Sequence, residues 1–444
     1  MKRTDNQQKF DALREEFSTF TFERQTVRLE NGTLSLAFDF NLDDRYHFSP
    51  TLEIPSRPFF DWDGLPKDRL EALAFQIGMT ELVSYWKIAC PKKVVVKPFA
   101  LTERQISFWK KLYYNGLGEF LYLNGITVSE AELMRIETLP IDSNRTVAAR
   151  NDMGSSWFEE KTLVPIGGGK DSVVTLECLR GKMTVIPLIV NPRGATLNCV
   201  KTAGYKENDY IVINRTLDPT MLKLNAEGYL NGHTPFSALL AFISVLVAFG
   251  SRSKYIALSN ENSANEATVP GTNINHQYSK SIEFERDFRS YVAENLSDKV
   301  QYFSFLRPLS ELQIASLFAQ CEAYHPVFRS CNAGSKTDSW CGHCPKCLFT
   351  WIILSPFLSK EKLVAIFGKD LMADESLRPV YEELNGTAAV KPFECVGTVE
   401  EVRACINAVE HQDFTEVKAI LNRFNPEHFL PEQFEQILKS RLYV

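Results

Sequence analysis

The chain has 444 residues, of which 44% are hydrophobic and 23% charged, and it carries a formal net charge of −6. That balance supplies cores for two or three domains of roughly 150 residues each, and its acidity argues against the basic footprint of a nucleic-acid binder. The opening stretch, MKRTDNQQKFDALREEF, has no apolar signal-like run, and the longest apolar run, Phe236 to Gly250, is short for a bilayer span. A cytoplasmic protein with no membrane partner is expected.

In chain order, TVRLENGTLSLAFDFNL places an Asn-Gly turn between two strand-like runs, a hairpin signal. DRLEALAFQIGMTELVSYW has helical spacing and KKVVVKPF reads as a short strand, so residues 1–157 are predicted to form an accessory α+β domain without a catalytic constellation. From Thr162 the pattern changes. TLVPI, TVIPLIV, DYIVIN, KYIALS and QYFSFL are strand-like runs separated by helical or loop segments. Strands alternating with helices predict an α/β domain with a parallel sheet over residues 158–355. Ser310 and Gln313 form a capping-box pattern ahead of the helical run ELQIASLFAQ. Residues 356–444 are predicted helical, interrupted by the irregular stretch Asn385 to Thr398.

Between the first two of these runs lies VPIGGGKDSVVTLECL, a strand, a glycine-rich turn and a helix. This arrangement offers bare backbone N–H groups and a helix N-terminus to an anion. A Walker A loop is excluded because Asp171, not serine or threonine, follows Lys170. A dinucleotide fingerprint is excluded because its third glycine position holds Ser172.

The ten cysteines divide into six scattered ones and a bunched set, Cys331, Cys341, Cys344 and Cys347, spaced C-x9-C-x2-C-x2-C. Scattered cysteines in a chain of this kind are small core residues in a reducing compartment. Four thiols in a turn-rich segment suit tetrahedral, structural Zn²⁺. His343 lies inside this knuckle as a fifth donor, although four thiols already complete the coordination.

Gly168, Gly169, Lys170, Asp171 and Ser172 resemble the pyrophosphate loop, S-G-G-x-D-S, of the N-type ATP pyrophosphatases, with Gly167 standing where that pattern has its first serine. The hydroxyl of that serine is therefore missing or supplied from elsewhere. The resemblance implies an adenine-nucleotide α-hydrolase fold, ATP held by Gly167, Gly168, Gly169, Lys170, Asp171 and Ser172, Mg²⁺ near Asp171, and transfer of AMP to a carboxylate or carbonyl oxygen. The cysteine knuckle downstream resembles that of the 7-cyano-7-deazaguanine synthase branch. A nucleobase- or tRNA-modifying enzyme is therefore the alternative reading.

SNENSANEATVPGTNINHQYSK (Ser259 to Lys280), KPFECVGT (Lys391 to Thr398), the GGGKDS form of the loop and the length resemble the UDP-N-acetylmuramoyl-L-alanyl-L-glutamate epimerases, the MurL family. This resemblance implies ATP-dependent inversion of the terminal L-glutamate of a UDP-linked muramoyl dipeptide, in cell-wall precursor synthesis. In an open α/β sheet, ligands sit outside the carboxyl ends of strands, which directs attention to the segment after KYIALS. His276 and Tyr278 are the candidate proton-transfer groups, with Lys280 and Glu261 in support, and Asn260, Asn265 and Glu266 lie along the same segment. Arg193 either meets phosphate or a carboxylate or is solvated. Glu394 and Cys395 either close over substrate or pack the tail.

Overall fold

The computed structural model describes residues 3–140, 153–154, 156–269 and 271–442. The chain divides into two compact units, each discontinuous in sequence. The first comprises Met1–Glu159, Val212–Lys254 and Gln277–Gln301; the second comprises Glu160–Ile211, Tyr255–His276 and Tyr302–Val444. One division thus falls at Glu159/Glu160, and none falls near residue 356.

The strands are, in chain order, β1 (Thr19–Glu30), β2 (Thr33–Leu42), β3 (Tyr46–Phe48), β4 (Thr51–Ile54), β5 (Lys93–Val96), β6 (Arg135–Thr138), β7 (Glu159–Pro165), β8 (Thr184–Val190), β9 (Ile211–Thr216), β10 (Ser253–Leu258) and β11 (Gln301–Ser304). In the first unit, β1 and β2 are the predicted hairpin. Asn31 and Gly32 turn it with φ of 52° and 75°, the geometry of a type I′ turn. Alternation along TLSLAFDFNL buries Leu34, Leu36, Phe38, Phe40 and Leu42 on one face.

The sheet is mixed, which corrects the parallel sheet predicted over residues 158–355 at β9. β4 runs antiparallel to β2, while β5 and β6 continue in parallel from β1. DYIVIN, expected among the parallel strands, follows β8 in the strand order and also pairs antiparallel with β4 through Asn214, Arg215 and Thr216. The physical reason is local: the chain reverses once, at Asp43 and Asp44, so β3 and β4 both run antiparallel to β2.

Helix Lys67–Trp86 is buried over almost its whole circumference, with Arg69, Gln76, Thr80 and Glu81 buried beside its apolar residues. Phe75 on it stacks on Phe22 with ring centroids 5.9 Å apart, each fully buried ring contributing roughly 1.5–3 kcal/mol. Helix Phe236–Ser251, 16 residues long, packs against it. Among the described residues no helix is long and apolar enough to cross a membrane.

In the second unit the strand order is β11-β10-β7-β8, with β7 and β8 parallel and Leu163 opposite Ile186. β7 leads through the glycine turn into helix Lys170–Leu179, and β8 leads into helix Gly194–Thr202. Helix Glu311–Ala319 opens with the predicted capping box: Gln313 N donates to Ser310 Oγ at 3.2 Å and Ser310 N to Gln313 Oε1 at 3.0 Å. Helices Lys360–Phe367, Val399–His411 and Glu432–Leu442 account for most of the helical tail.

Candidate active site

The turn after β7 is shaped by backbone geometry. Gly168 has φ +80°, and a Cβ there would meet Ala195 C and Thr196 N, both backbone atoms, at 2.9 Å. Only glycine fits that combination of left-handed backbone and close approach. Gly167 is exposed, and a Cβ on it would meet nothing within 4 Å. Gly169 takes the N-cap position of helix Lys170–Leu179, which has no side-chain cap. The first-turn amides of this helix therefore point out of the turn without a side-chain acceptor, the arrangement that binds anions.

Lys170 does not extend over the turn. Its side chain is buried, and Nζ forms ion pairs with Asp171 Oδ1 and Glu311 Oε2. Burial disfavours its charge, but the two carboxylates outweigh burial and hold the ammonium well above the ordinary lysine range. Glu311 is pushed the opposite way from a normal ion-paired acid: burial, with Asp171 and Glu261 nearby, raises its carboxyl far above the usual range despite Lys170. Asp171 keeps a side chain about a third exposed, at 35%. Ser172 Oγ donates to Gly169 O at 3.0 Å and closes the turn on itself.

Glu261 is buried, accepts from Ser263 Oγ at 2.8 Å, and its backbone oxygen accepts from the fully buried Arg307 guanidinium at 2.6 Å. The structure therefore gathers Lys170, Asp171, Glu261 and Glu311 into one charged group. Glu311 and Arg307 carried no motif in the sequence; the only pointer to Glu311 was its place in the first turn behind the Ser310 capping box.

The remaining candidates divide. His276 is half-buried in the second unit, its amide donating to Thr268 Oγ1 at 3.0 Å. Tyr278 and Lys280 fall in the first unit, on the short turn Tyr278–Lys280. Tyr278 is buried against Phe284, and burial together with Glu283 and Asp287 pushes its hydroxyl well above the ordinary phenol range. Asn260 is buried and donates to Ser304 Oγ at 3.0 Å, and Asn265 Nδ2 donates to Asn262 Oδ1 at 3.4 Å. Arg193 stands at the N-cap of helix Gly194–Thr202, its amide donating to Thr196 Oγ1 at 2.9 Å.

Lys391, in the KPFECVGT stretch, pairs with Glu266 and donates to Gly397 O at 2.9 Å. Glu394 accepts from Asn332 Nδ2 at 3.3 Å and lies 3.5 Å from Lys346 Nζ. Cys395 is half-buried. The stretch thus ties the helical tail both to the segment after β10 and to the cysteine knuckle.

In the knuckle, the sulfurs of Cys331, Cys341, Cys344 and Cys347 all lie within 4.8 Å of one another, with three pairs at 3.6 Å. A regular zinc–thiolate tetrahedron has sulfur–sulfur edges of ~3.8 Å, from Zn–S bonds of about 2.3 Å. Thiol hydrogen bonds from Cys344 and Cys347 pull Cys331 far below the ordinary thiol range. His343 is exposed, with Nδ1 2.8 Å from Cys341 O, outside the sulfur group.

Residues 11–305 match the family model described as the MurL N-terminal domain, and residues 327–436 match the MurL C-terminal domain. The chain belongs to the MurL family. It is 36% identical over 407 residues to a Micromonospora protein named UDP-N-acetyl-alpha-D-muramoyl-L-alanyl-L-glutamate epimerase, covering 89% of this chain and 87% of that one. Identically named proteins of Xanthomonas oryzae pv. oryzae and Salinispora tropica are 32% and 34% identical, over 92% and 88% of this chain and 89% and 85% of theirs. No solved structure matches the chain significantly. Both MurL models together span the glycine turn, the segment after β10 and the knuckle.

Proposed function

We propose that this chain is an ATP-dependent epimerase that inverts the terminal L-glutamate of UDP-MurNAc-L-Ala-L-Glu through an acyl-adenylate. The epimerase reading rests on family membership and on relatives bearing that name over most of their length. The observation that supports nucleotide chemistry is the uncapped helix N-terminus behind a glycine turn that is open at Gly167.

Removing the α-proton beside a free carboxylate would place two negative charges on a small enolate. In the proposed sequence a glutamate carboxylate oxygen attacks the α-phosphorus of ATP, and the bond to the β-phosphate breaks to release pyrophosphate. The acyl-adenylate has lost one negative charge at the acyl group, so its α-proton leaves to form an enolate that backbone N–H groups stabilise. Return of a proton to the other face inverts the centre, and water cleaves the acyl–phosphate bond to give D-glutamate and AMP.

The bare amides of the turn bind phosphate, and Asp171, with its exposed carboxylate, holds Mg²⁺. Lys170 keeps Asp171 in place rather than reaching the phosphates. Glu261 and His276 are assigned to proton transfer, because both lie on the segment that leaves the carboxyl end of β10. Zn²⁺ on the four thiolates has a structural role.

The test is incubation with UDP-MurNAc-L-Ala-L-Glu, ATP and Mg²⁺ in D₂O. Deuterium at the glutamyl α-carbon together with AMP and pyrophosphate is expected. Inversion at full rate without ATP would remove the adenylation step while leaving the epimerase standing.

A further inference from the structure

The pyrophosphate-loop pattern begins with a serine, and here that position is Gly167, with open space around it. The turn lacks a hydroxyl at that end. Of the hydroxyls around it, Ser172 donates to Gly169 O at 3.0 Å and Thr196 to Arg193 O at 2.8 Å, so both are engaged in shaping their own turns. A third hydroxyl comes from a distant part of the chain. Ser330 Oγ lies 2.8 Å from where a Cβ on Gly169 would sit. Its neighbour Arg329 donates its amide to Gly168 O at 2.8 Å, which pins this segment to the turn. Its other neighbour, Cys331, is a fully buried member of the sulfur group. Ser330 itself is half-buried, and its hydroxyl makes no hydrogen bond among the described residues.

We propose that Ser330 replaces the missing loop serine: its hydroxyl donates to a phosphate oxygen of ATP held in the glycine turn, and the cysteine knuckle fixes it there through Cys331. The inference rests on the ATP-binding reading given above. It gives the knuckle a stake in nucleotide binding that a remote staple would lack. It also gives glycine at position 169 a reason although its φ is an ordinary −92°: a Cβ there would lie 2.8 Å from the Ser330 hydroxyl and displace it.

The test uses the full, zinc-replete chain, with Mg·ATP affinity measured by calorimetry and zinc content measured alongside. Ser330→Ala is expected to weaken ATP binding about 10-fold or more, the usual loss for one hydrogen bond to a charged acceptor, with zinc content and melting temperature unchanged. Gly167→Ser, which the open space accommodates, is expected to restore most of that affinity in the Ser330→Ala background by putting the hydroxyl back on the turn. Wild-type affinity in Ser330→Ala, or a loss that Gly167→Ser fails to restore, overturns the role. If the unaltered chain binds no ATP, the nucleotide reading of the turn falls and this inference falls with it.

Discussion

Two helices of the second unit follow the neighbouring parallel strands β7 and β8, and neither has a side-chain cap on its first-turn amides, yet different groups lie against their N-termini. Helix Gly194–Thr202 has a carboxylate of the chain beside its first residue. Thr196 accepts from the Arg193 amide, and the Asp338 carboxylate sits against Gly194, where a Cβ would meet Oδ1 at 2.8 Å. Helix Lys170–Leu179 has glycine at its N-cap and no side-chain cap at all. A glycine at the N-cap gives up only roughly a few tenths of a kcal/mol against a capping side chain, and Gly168 adds a left-handed turn. The Asp338 carboxylate thus occupies the space beside one terminus, whereas the space around Gly167 at the adjacent one is open, as the proposed phosphate site requires. The bare end is held instead by an ion-pair group behind it and by the knuckle segment beside it.

The largest effect should come from removing the group that the bare terminus is built to serve. Asp171→Ala should lower AMP formation on the order of 10²–10³-fold, the range for losing one preorganised electrostatic contact, while circular dichroism shows an unchanged fold. A fully active variant would break the contrast between the two termini.

Lys170→Met should be the costliest change for folding. It leaves Glu311 and Asp171 facing each other with no cation, and breaking a buried pair this way costs roughly 3–5 kcal/mol, read from urea denaturation midpoints. A near-neutral result would mean that Glu311 is protonated and already needs no partner.

Cys344→Ser probes the knuckle that lies beside the bare terminus. Zinc per chain should fall, and the thermal midpoint should drop by roughly 5–10 °C, since each kcal/mol is worth ~2–4 °C in a domain of this size. Because Ser330 and Arg329 adjoin Cys331, ATP affinity should fall at temperatures where the variant is still folded. Full zinc occupancy would remove Cys344 as a ligand.

How much of this was legible in the sequence depended on how local each feature is. TVIPLIV coincides with β8, the Ser310–Gln313 capping box forms as read, and the glycine turn sits between strand and helix as expected. Each is encoded within a few residues. The knuckle is legible for the same reason, its four sulfurs being drawn from one 17-residue stretch, Cys331 to Cys347. What failed was pairing across long separations. Lys170 finds Glu311 141 residues away, and DYIVIN gains β4 as an antiparallel partner, because strand partners are chosen by tertiary packing. A unit boundary also carries no local signal: His276 and Tyr278 are two residues apart, yet they belong to different units.

Gly168→Ala tests the bare turn itself. The substituted Cβ would press on Ala195 C and Thr196 N at 2.9 Å, and these are main-chain atoms that cannot rotate away. A strained left-handed alanine and this contact together should cost about 1–3 kcal/mol and weaken ATP binding along with it. Asp338→Asn is the counterpart at the terminus beside the Asp338 carboxylate and the mildest change. It keeps the shape against Gly194 and removes only the charge, so the loss should be about 0.3–1 kcal/mol and shrink as salt is added. Melting both variants at low and high ionic strength separates the cases: the alanine's cost is steric and salt-independent, whereas the asparagine's is electrostatic. If the Asp338→Asn loss persisted undiminished in high salt, Asp338 would not be acting as the anion of its helix, and the second terminus would have to be regarded as open like the first.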